Sequence, residues 1–150
     1  MNKFRWLAVA LLLPLLAACA GSGSGSGSST RAPLTDDEQL QTRSVERWQL
    51  LIGGKADQAW EYLSPGYRST RNREEYIAKM ATRPVAWLNS DFYSLTCDEP
   101  GRFCAVGLKV RFKVLSRQLG VGELEADSFL TERWIKLGDT WFHVPEDVSG

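Results

Sequence analysis

From Ala105 to Leu115 the chain alternates: Val106, Leu108, Val110, Phe112 and Val114 share one side, Lys109, Arg111 and Lys113 the other. Residues two apart lie on the same face of a strand, so this segment reads as a β-strand with one covered and one wet face, the pattern of an antiparallel sheet. Before Val85 the apolar residues recur at three and four instead. That change of period divides the chain into a helical part and a sheet part. Thr35-Asp36-Asp37-Glu38 reads as a capping box, Thr at the N-cap and Glu at N3, with acids favouring the helix dipole. Leu40, Val45, Trp48, Leu51 and Ile52 follow at near-helical spacing until Gly53-Gly54 stops the run. Ala56, Ala59, Trp60 and Leu63 predict a second helix closed by Ser64-Pro65-Gly66. A third, from about Asn72 to Thr82, carries Tyr76, Ile77 and Met80 and ends before Pro84. The expected strands are Ala86 to Thr96, Ala105 to Leu115, Leu124 to Leu137 and Thr140 to Val144, the last two joined by a Gly138-Asp139 turn. The expected class is therefore α+β: three N-terminal helices packed on one face of a curved, four-stranded antiparallel sheet.

The N-terminus has its own grammar. Lys3 and Arg5 precede an apolar segment, Trp6 to Ala18, interrupted by Pro14. A spanning helix needs about 20 apolar residues, so this segment is too short and reads as a signal peptide. Leu16-Ala17-Ala18-Cys19 resembles the lipobox of bacterial lipoproteins. The resemblance implies cleavage after Ala18 and lipidation of Cys19. Ala20, rather than Asp, implies export to the outer membrane, with the domain facing the periplasm. Several acyl chains on Cys19 would make a durable tether, where one holds only marginally. Gly21 to Ser29 is pure Gly and Ser, a flexible spacer that cannot contribute to a core. The expected organisation is residues 1–18 signal, 19–34 lipidated cysteine and linker, and 35–150 folded domain.

Charge excludes one class of partner. The chain carries 18 Lys+Arg against 18 Asp+Glu, and removal of Lys3 and Arg5 with the signal leaves 16 cations. A nucleic-acid partner would call for a strong basic excess, so none is expected. Of three cysteines, Cys19 is assigned to the lipid, leaving Cys97 and Cys104 in an oxidising compartment. If Pro100-Gly101 forms the whole turn between them, Cys97 faces Cys104 and a strand-to-strand disulfide follows. A longer loop with shifted register is the alternative, since two-residue hairpins prefer other turn types. With one histidine, His143, the chain offers no metal cluster and no readable Ser/His/Asp arrangement, and Gly53-Gly54-Lys55 is too short for a phosphate loop. No cofactor is expected.

The segment Ala59-Trp60-Glu61-Tyr62-Leu63-Ser64-Pro65-Gly66-Tyr67-Arg68 and the closing hairpin Glu132-Arg133-Trp134-Ile135-Lys136 … Trp141-Phe142-His143-Val144, with the order of elements, look like the nuclear transport factor 2-like (cystatin-like, SnoaL-like) superfamily. That resemblance implies a cone whose mouth can hold a small molecule, and a sheet whose outer face often makes dimers. Members that act as isomerases, cyclases or dehydratases place an Asp/His or Asp/Tyr constellation inside the cone. The pocket candidates here are Trp48, Trp60, Tyr62, Tyr67, Tyr76, Trp87 and Asp91. Core packing is the simpler reading of the aromatics, and solvent exposure of Asp91.

A two-residue Gly138-Asp139 turn pairs Trp134 with His143 and Lys136 with Trp141. Ile135, Leu137, Phe142 and Val144 then share the opposite face and, being wholly apolar, are expected to face the helices. Trp134, Lys136, Trp141 and His143 are accordingly expected on the outer face beside Lys109, Arg111 and Lys113, as an interface for a second copy or another envelope protein. The function expected on these grounds is a non-catalytic, membrane-anchored binding or assembly module of the cell envelope. The alternative is a small-molecule binder or an isomerase- or cyclase-type enzyme using the cone. An open cavity of roughly a few hundred Å³ with convergent polar groups would favour the alternative; a filled cone with exposed tryptophans would favour the first.

Overall fold

The computed structural model describes residues 33–115 and 123–146. The signal segment, Cys19 and the Gly/Ser spacer lie outside the described residues. Among the described residues four helices precede four strands: α1 (Asp36–Ile52), α2 (Ala56–Ala59), which runs into a 3-10 turn at Trp60–Tyr62, α3 (Pro65–Thr70), α4 (Arg73–Ala81), β1 (Val85–Cys97), β2 (Phe103–Leu115), β3 (Glu123–Leu137) and β4 (Thr140–Val144). The strands form one antiparallel meander in the order β1-β2-β3-β4. The α+β arrangement of N-terminal helices on a four-stranded antiparallel sheet is present.

Helix boundaries follow local chemistry. The Thr35 side chain accepts from the Glu38 amide while Glu38 accepts from the Thr35 amide, completing the capping box, and Gly53 caps the other end of α1. Asn72 caps α4 through the Glu75 amide. Ser64-Pro65-Gly66 does more than close the second helix. Ser64 is itself an N-cap, accepting from the Tyr67 amide, and Pro65 at the first helical position starts α3, a short helix the apolar spacing did not predict.

The β1–β2 connection pairs Cys97 with Cys104 and joins them by a disulfide. The turn is longer than Pro100-Gly101 alone: Asp98 O accepts from the Gly101 amide, and Asp98 Oδ1 accepts from the amides of Arg102 and Phe103. The pairing register survives because Asp98 gathers the whole loop. Farther along, Gly107 faces Ser94 next to a register shift in β1, and a Cβ there would lie 2.2 Å from Ser94 Oγ. Glycine lets the two strands close up at this bend.

The β3–β4 hairpin has the expected register, Trp134 opposite His143 and Lys136 opposite Trp141. Its expected orientation is reversed. Trp134 and Trp141 are 0% and 1% exposed and belong to the core, and His143 is buried, whereas Leu137 on the other face is exposed. The physical cause is visible in the next ladder. β2 and β3 pair Cys104 with Trp134, Val106 with Glu132 and Leu108 with Leu130, so the two strands send these residues to one face. That face packs on α1 with Leu40, Trp48 and Leu51. Turned inward, Trp134 and Trp141 join the same core as Leu40, Leu63, Val106 and Leu108. Of the two indole N–H groups brought inside, that of Trp134 donates to Glu132 on its own strand and that of Trp141 has no hydrogen-bond partner.

Candidate functional site

Every fourth or third residue of α1 from Leu40, namely Ser44, Arg47, Trp48 and Leu51, is buried against the sheet. This stripe sets a guanidinium inside the protein. From the sheet, β3 sends Glu132 inward between Leu130 and Trp134. The two meet: Arg47 NH1 donates to Glu132 Oε1 at 2.6 Å, both side chains being 6% exposed. Trp48 Nε1 donates to the same oxygen at 2.8 Å, and Trp134 Nε1 to Oε2 at 3.2 Å. A carboxylate buried alone would be strongly disfavoured, but one cation and two indoles satisfy both oxygens here.

His143 on β4 stacks obliquely on Trp134, with ring centroids 5.5 Å apart, and its Nε2 lies 3.8 Å from Glu132 Oε1. Burial, reinforced by the nearby Arg47 charge, holds its pKa well below the usual histidine value, so the ring is neutral near pH 7. Its carbonyl accepts from the Ser64 amide at 2.8 Å, tying β4 to the start of α3.

Above this cluster opens a cavity of about 520 Å³. Trp48, Leu51, Met80, Trp87 and Leu130 supply apolar wall, and Arg47, Tyr76, Glu132 and His143 supply polar groups. Arg71, Glu75, Lys79, Arg83 and Glu146 add charge to the lining. Trp48 and Trp87 meet edge to face at 5.0 Å, and the Arg83 guanidinium lies 4.8 Å from the Trp87 ring centre. Among the described residues, five buried side-chain polar atoms lack a hydrogen-bond partner, and three belong to this lining: Arg47 Nε, the Tyr76 hydroxyl and His143 Nδ1. Native interiors leave few such groups, so these three are available to hydrogen-bond whatever occupies the cavity, water included. Burial raises the Tyr76 pKa, with Arg47 opposing the rise, so the phenol remains a donor.

The expected pocket residues separate into three groups. Trp48, Tyr67, Tyr76 and Trp87 line the cavity. Trp60 is buried beside Tyr76 and Tyr67 in the core behind the wall, and Tyr62 faces a second groove on the far side of α1. Asp91 is on the outer face, where it accepts from Asn89 Nδ2 and pairs with Lys109 across the strands. It takes no part in the cavity, because the strand's alternation turns it away from the helices.

The expected interface residues are also divided. Trp134, Trp141 and His143 are interior, so they cannot form an exposed surface. Lys136 reaches from the edge of the inner face to an ion pair with Asp36 in the first turn of α1. Lys109 and Arg111 do face outward, but their companions are Asp127, which both bridge, and an exposed aromatic pair, Tyr93 and Phe129, at 5.3 Å. Among the described residues no group of three or more His, Cys, Asp or Glu is placed to hold a metal, and no helix is long and apolar enough to cross a membrane.

Arg47 and Glu132 are among the site residues that sequence reasoning missed. Both had a signal. Arg47 shares the helical stripe of Leu40 and Leu51, and Glu132 is two residues from Trp134 on the same strand face, so either charge on an otherwise apolar face could have pointed to the other.

No family model and no curated protein matches the chain. Solved structures do. A SEC-C motif containing protein from Rhodopseudomonas palustris aligns with a TM-score of 0.53 at 16% identity, covering 69% of this chain and 73% of that one. A second such protein, from Psychrobacter arcticus, gives 0.53 at 16% identity, covering 95% and 78%. An NTF2-like protein from Campylobacter jejuni aligns at 0.44 and 11% identity, covering 71% and 98%, too distant to bear on the argument. At these identities the likeness concerns the fold alone: helices over a curved antiparallel sheet, a scaffold that hosts many unrelated activities.

Proposed function

We propose that this chain is a non-catalytic, small-molecule-binding domain of the cell envelope, tethered through a lipidated Cys19 and using the cavity between α1, α4 and the sheet as its binding site. The observation that carries the reading is the cavity of about 520 Å³ with three unsatisfied buried polar atoms among its lining residues. Its volume is in the range that encloses a drug-sized ligand, and its mixture of apolar wall and few polar groups is that of ligand pockets. Binding is favoured over acid–base chemistry by the state of the two obvious candidates. Both Glu132 oxygens already accept hydrogen bonds. His143 is a weak base, since burial and Arg47 disfavour its protonation.

The test uses 1-anilinonaphthalene-8-sulfonate, an apolar dye that brightens on leaving water. The expected result is one dye per chain, with binding abolished by Met80→Trp, which fills the cavity, while the far-UV circular dichroism spectrum is unchanged. Dye binding that survives Met80→Trp but is lost in the Tyr93→Ala, Phe129→Ala variant would overturn the reading. Envelope attachment is tested separately: Cys19→Ala should move the protein from the membrane to the soluble fraction, and retention in the membrane would contradict the tether. A second reading, contact with another copy or an envelope protein through the outer sheet face, has support in the exposure of Tyr93 and Phe129 at 67% and 63%. It involves different residues from those the sequence singled out.

A further inference from the structure

We infer that the ligand of the cavity is a monoanion with an apolar body, its carboxylate-like group drawn to Arg83 and met by the free donors of Arg47 and Tyr76. This inference rests on the cavity being a binding site and goes on to name the chemistry it selects. Four cations, Arg47, Arg71, Lys79 and Arg83, line the cavity against three carboxylates, Glu75, Glu132 and Glu146. With His143 neutral, the formal charges of the described lining residues sum to one positive.

The charges inside that sum are unequally placed. Arg47 and Glu132 neutralise one another through a single guanidinium nitrogen, leaving Arg47 Nε without an acceptor. Glu146 pairs with Arg133 at 3.4 Å, outside the cavity lining. Arg83 has no carboxylate partner among the described residues; its guanidinium lies over the face of Trp87. Partial desolvation weakens its hold on its proton, opposed by Tyr76 and reinforced to a lesser degree by repulsion from the charge of Arg47, which shares the cavity lining. An anion placed there relieves that repulsion. It also satisfies a buried N–H that otherwise has no partner.

The remaining wall argues against a bare inorganic anion. Trp48, Leu51, Met80, Trp87 and Leu130 present apolar surface that small oxyanions cannot cover. A flat or aliphatic carboxylate fits both halves: the apolar body lies against Trp87 and Trp48, the charged end against Arg83. The planar guanidinium suits a carboxylate in particular, since it can offer two parallel N–H donors.

Isothermal titration calorimetry of the purified protein with benzoate, 1-naphthoate and decanoate, each beside its primary amide, tests this. The expected result is at least tenfold tighter binding of one or more acids than of the matching amide. Arg83→Gln should remove that preference with little effect on the amide, and because Arg83 is exposed at the rim the variant should fold normally. Equal binding of acids and amides would overturn the charge preference and leave the cavity reading standing. Displacement of 1-naphthoate by equimolar inorganic phosphate would overturn the apolar-body requirement. Binding of none of the six compounds, with amide resonances of the cavity residues unmoved, would overturn both the inference and the function on which it rests.

Discussion

Replacing Glu132 with leucine should be among the most damaging single changes in the domain, although leucine is apolar and the site is buried. Glu132 is the common acceptor for Arg47 NH1, Trp48 Nε1 and Trp134 Nε1. Removing one member of a buried ion pair costs about 3 to 5 kcal/mol, because the partner charge stays behind without compensation. Stranding two indole N–H groups adds roughly 1 to 3 kcal/mol each at most, reduced where cavity water can reach them. A loss of about 5 kcal/mol or more is expected. In urea, with a slope of about 2 kcal/mol per molar, that moves the midpoint down by about 2.5 M or more. Arg47→Met alone should cost less, about 2 to 3 kcal/mol, since the carboxylate keeps both indole donors. The double variant removes both charges and strands only the indoles, so it should cost about 2 kcal/mol. The two substitutions should therefore fall short of additivity by about 3 kcal/mol or more. Measured urea midpoints, at unchanged slope, for the parent and three variants complete the cycle. A cost below about 1 kcal/mol for Glu132→Leu, or additivity within about 0.5 kcal/mol, would refute the view that Glu132 is the polar centre joining α1 to the sheet.

Three further outcomes follow from named groups. His143 is held neutral in the folded protein, so the unfolded chain protonates first as pH falls; stability should be fully present above about pH 6.5 and decline below it by up to about 1.4 kcal/mol per unit. His143→Phe, which keeps a ring against Trp134, should flatten that decline, and an unchanged pH profile of the urea midpoint would contradict it. Reducing Cys97–Cys104 or replacing both cysteines with serine should cost about 2 to 3 kcal/mol from loop entropy, read as a lower midpoint in the presence of reductant. Hydrogen bonds from Arg111 and then Lys109 hold the Asp127 carboxyl down to about 2, and carbon-13 detected titration should show it returning toward the ordinary carboxylate value in Arg111→Ala, Lys109→Ala.

Much of the fold is legible in the sequence because its signals are local. The capping box at Thr35, the Gly53-Gly54 stop and the Gly138-Asp139 turn act within a few residues, and α1, β4 and the β3–β4 register form where those signals place them. The disulfide partners also come together, although by a longer turn than Pro100-Gly101. What is not local is which face of the hairpin turns inward. Counting apolar residues favours Ile135, Leu137, Phe142 and Val144. The folded protein instead buries Trp134, Trp141 and His143, because Glu132 on that face meets Arg47 and Trp48 from a helix distant in sequence. The parity that links Val106 and Leu108 to Glu132 and Leu130 depends on the β2–β3 connection, whose length in the ladder alternation alone does not reveal. The cavity is legible only in part for the same reason: Trp48, Tyr67, Tyr76 and Trp87 stand out as aromatics, whereas the charged floor requires knowing what lies across from α1.

The central claim, that the cavity between α1, α4 and the sheet is the ligand site, is tested most directly by nitrogen-15 chemical-shift mapping during titration with 1-naphthoate. The account predicts saturable shifts centred on the Trp48 and Trp87 indole N–H groups and on the backbone amides of Tyr76, Arg83 and Leu130. Shifts confined to Tyr93, Lys109 and Phe129 on the outer face would contradict it.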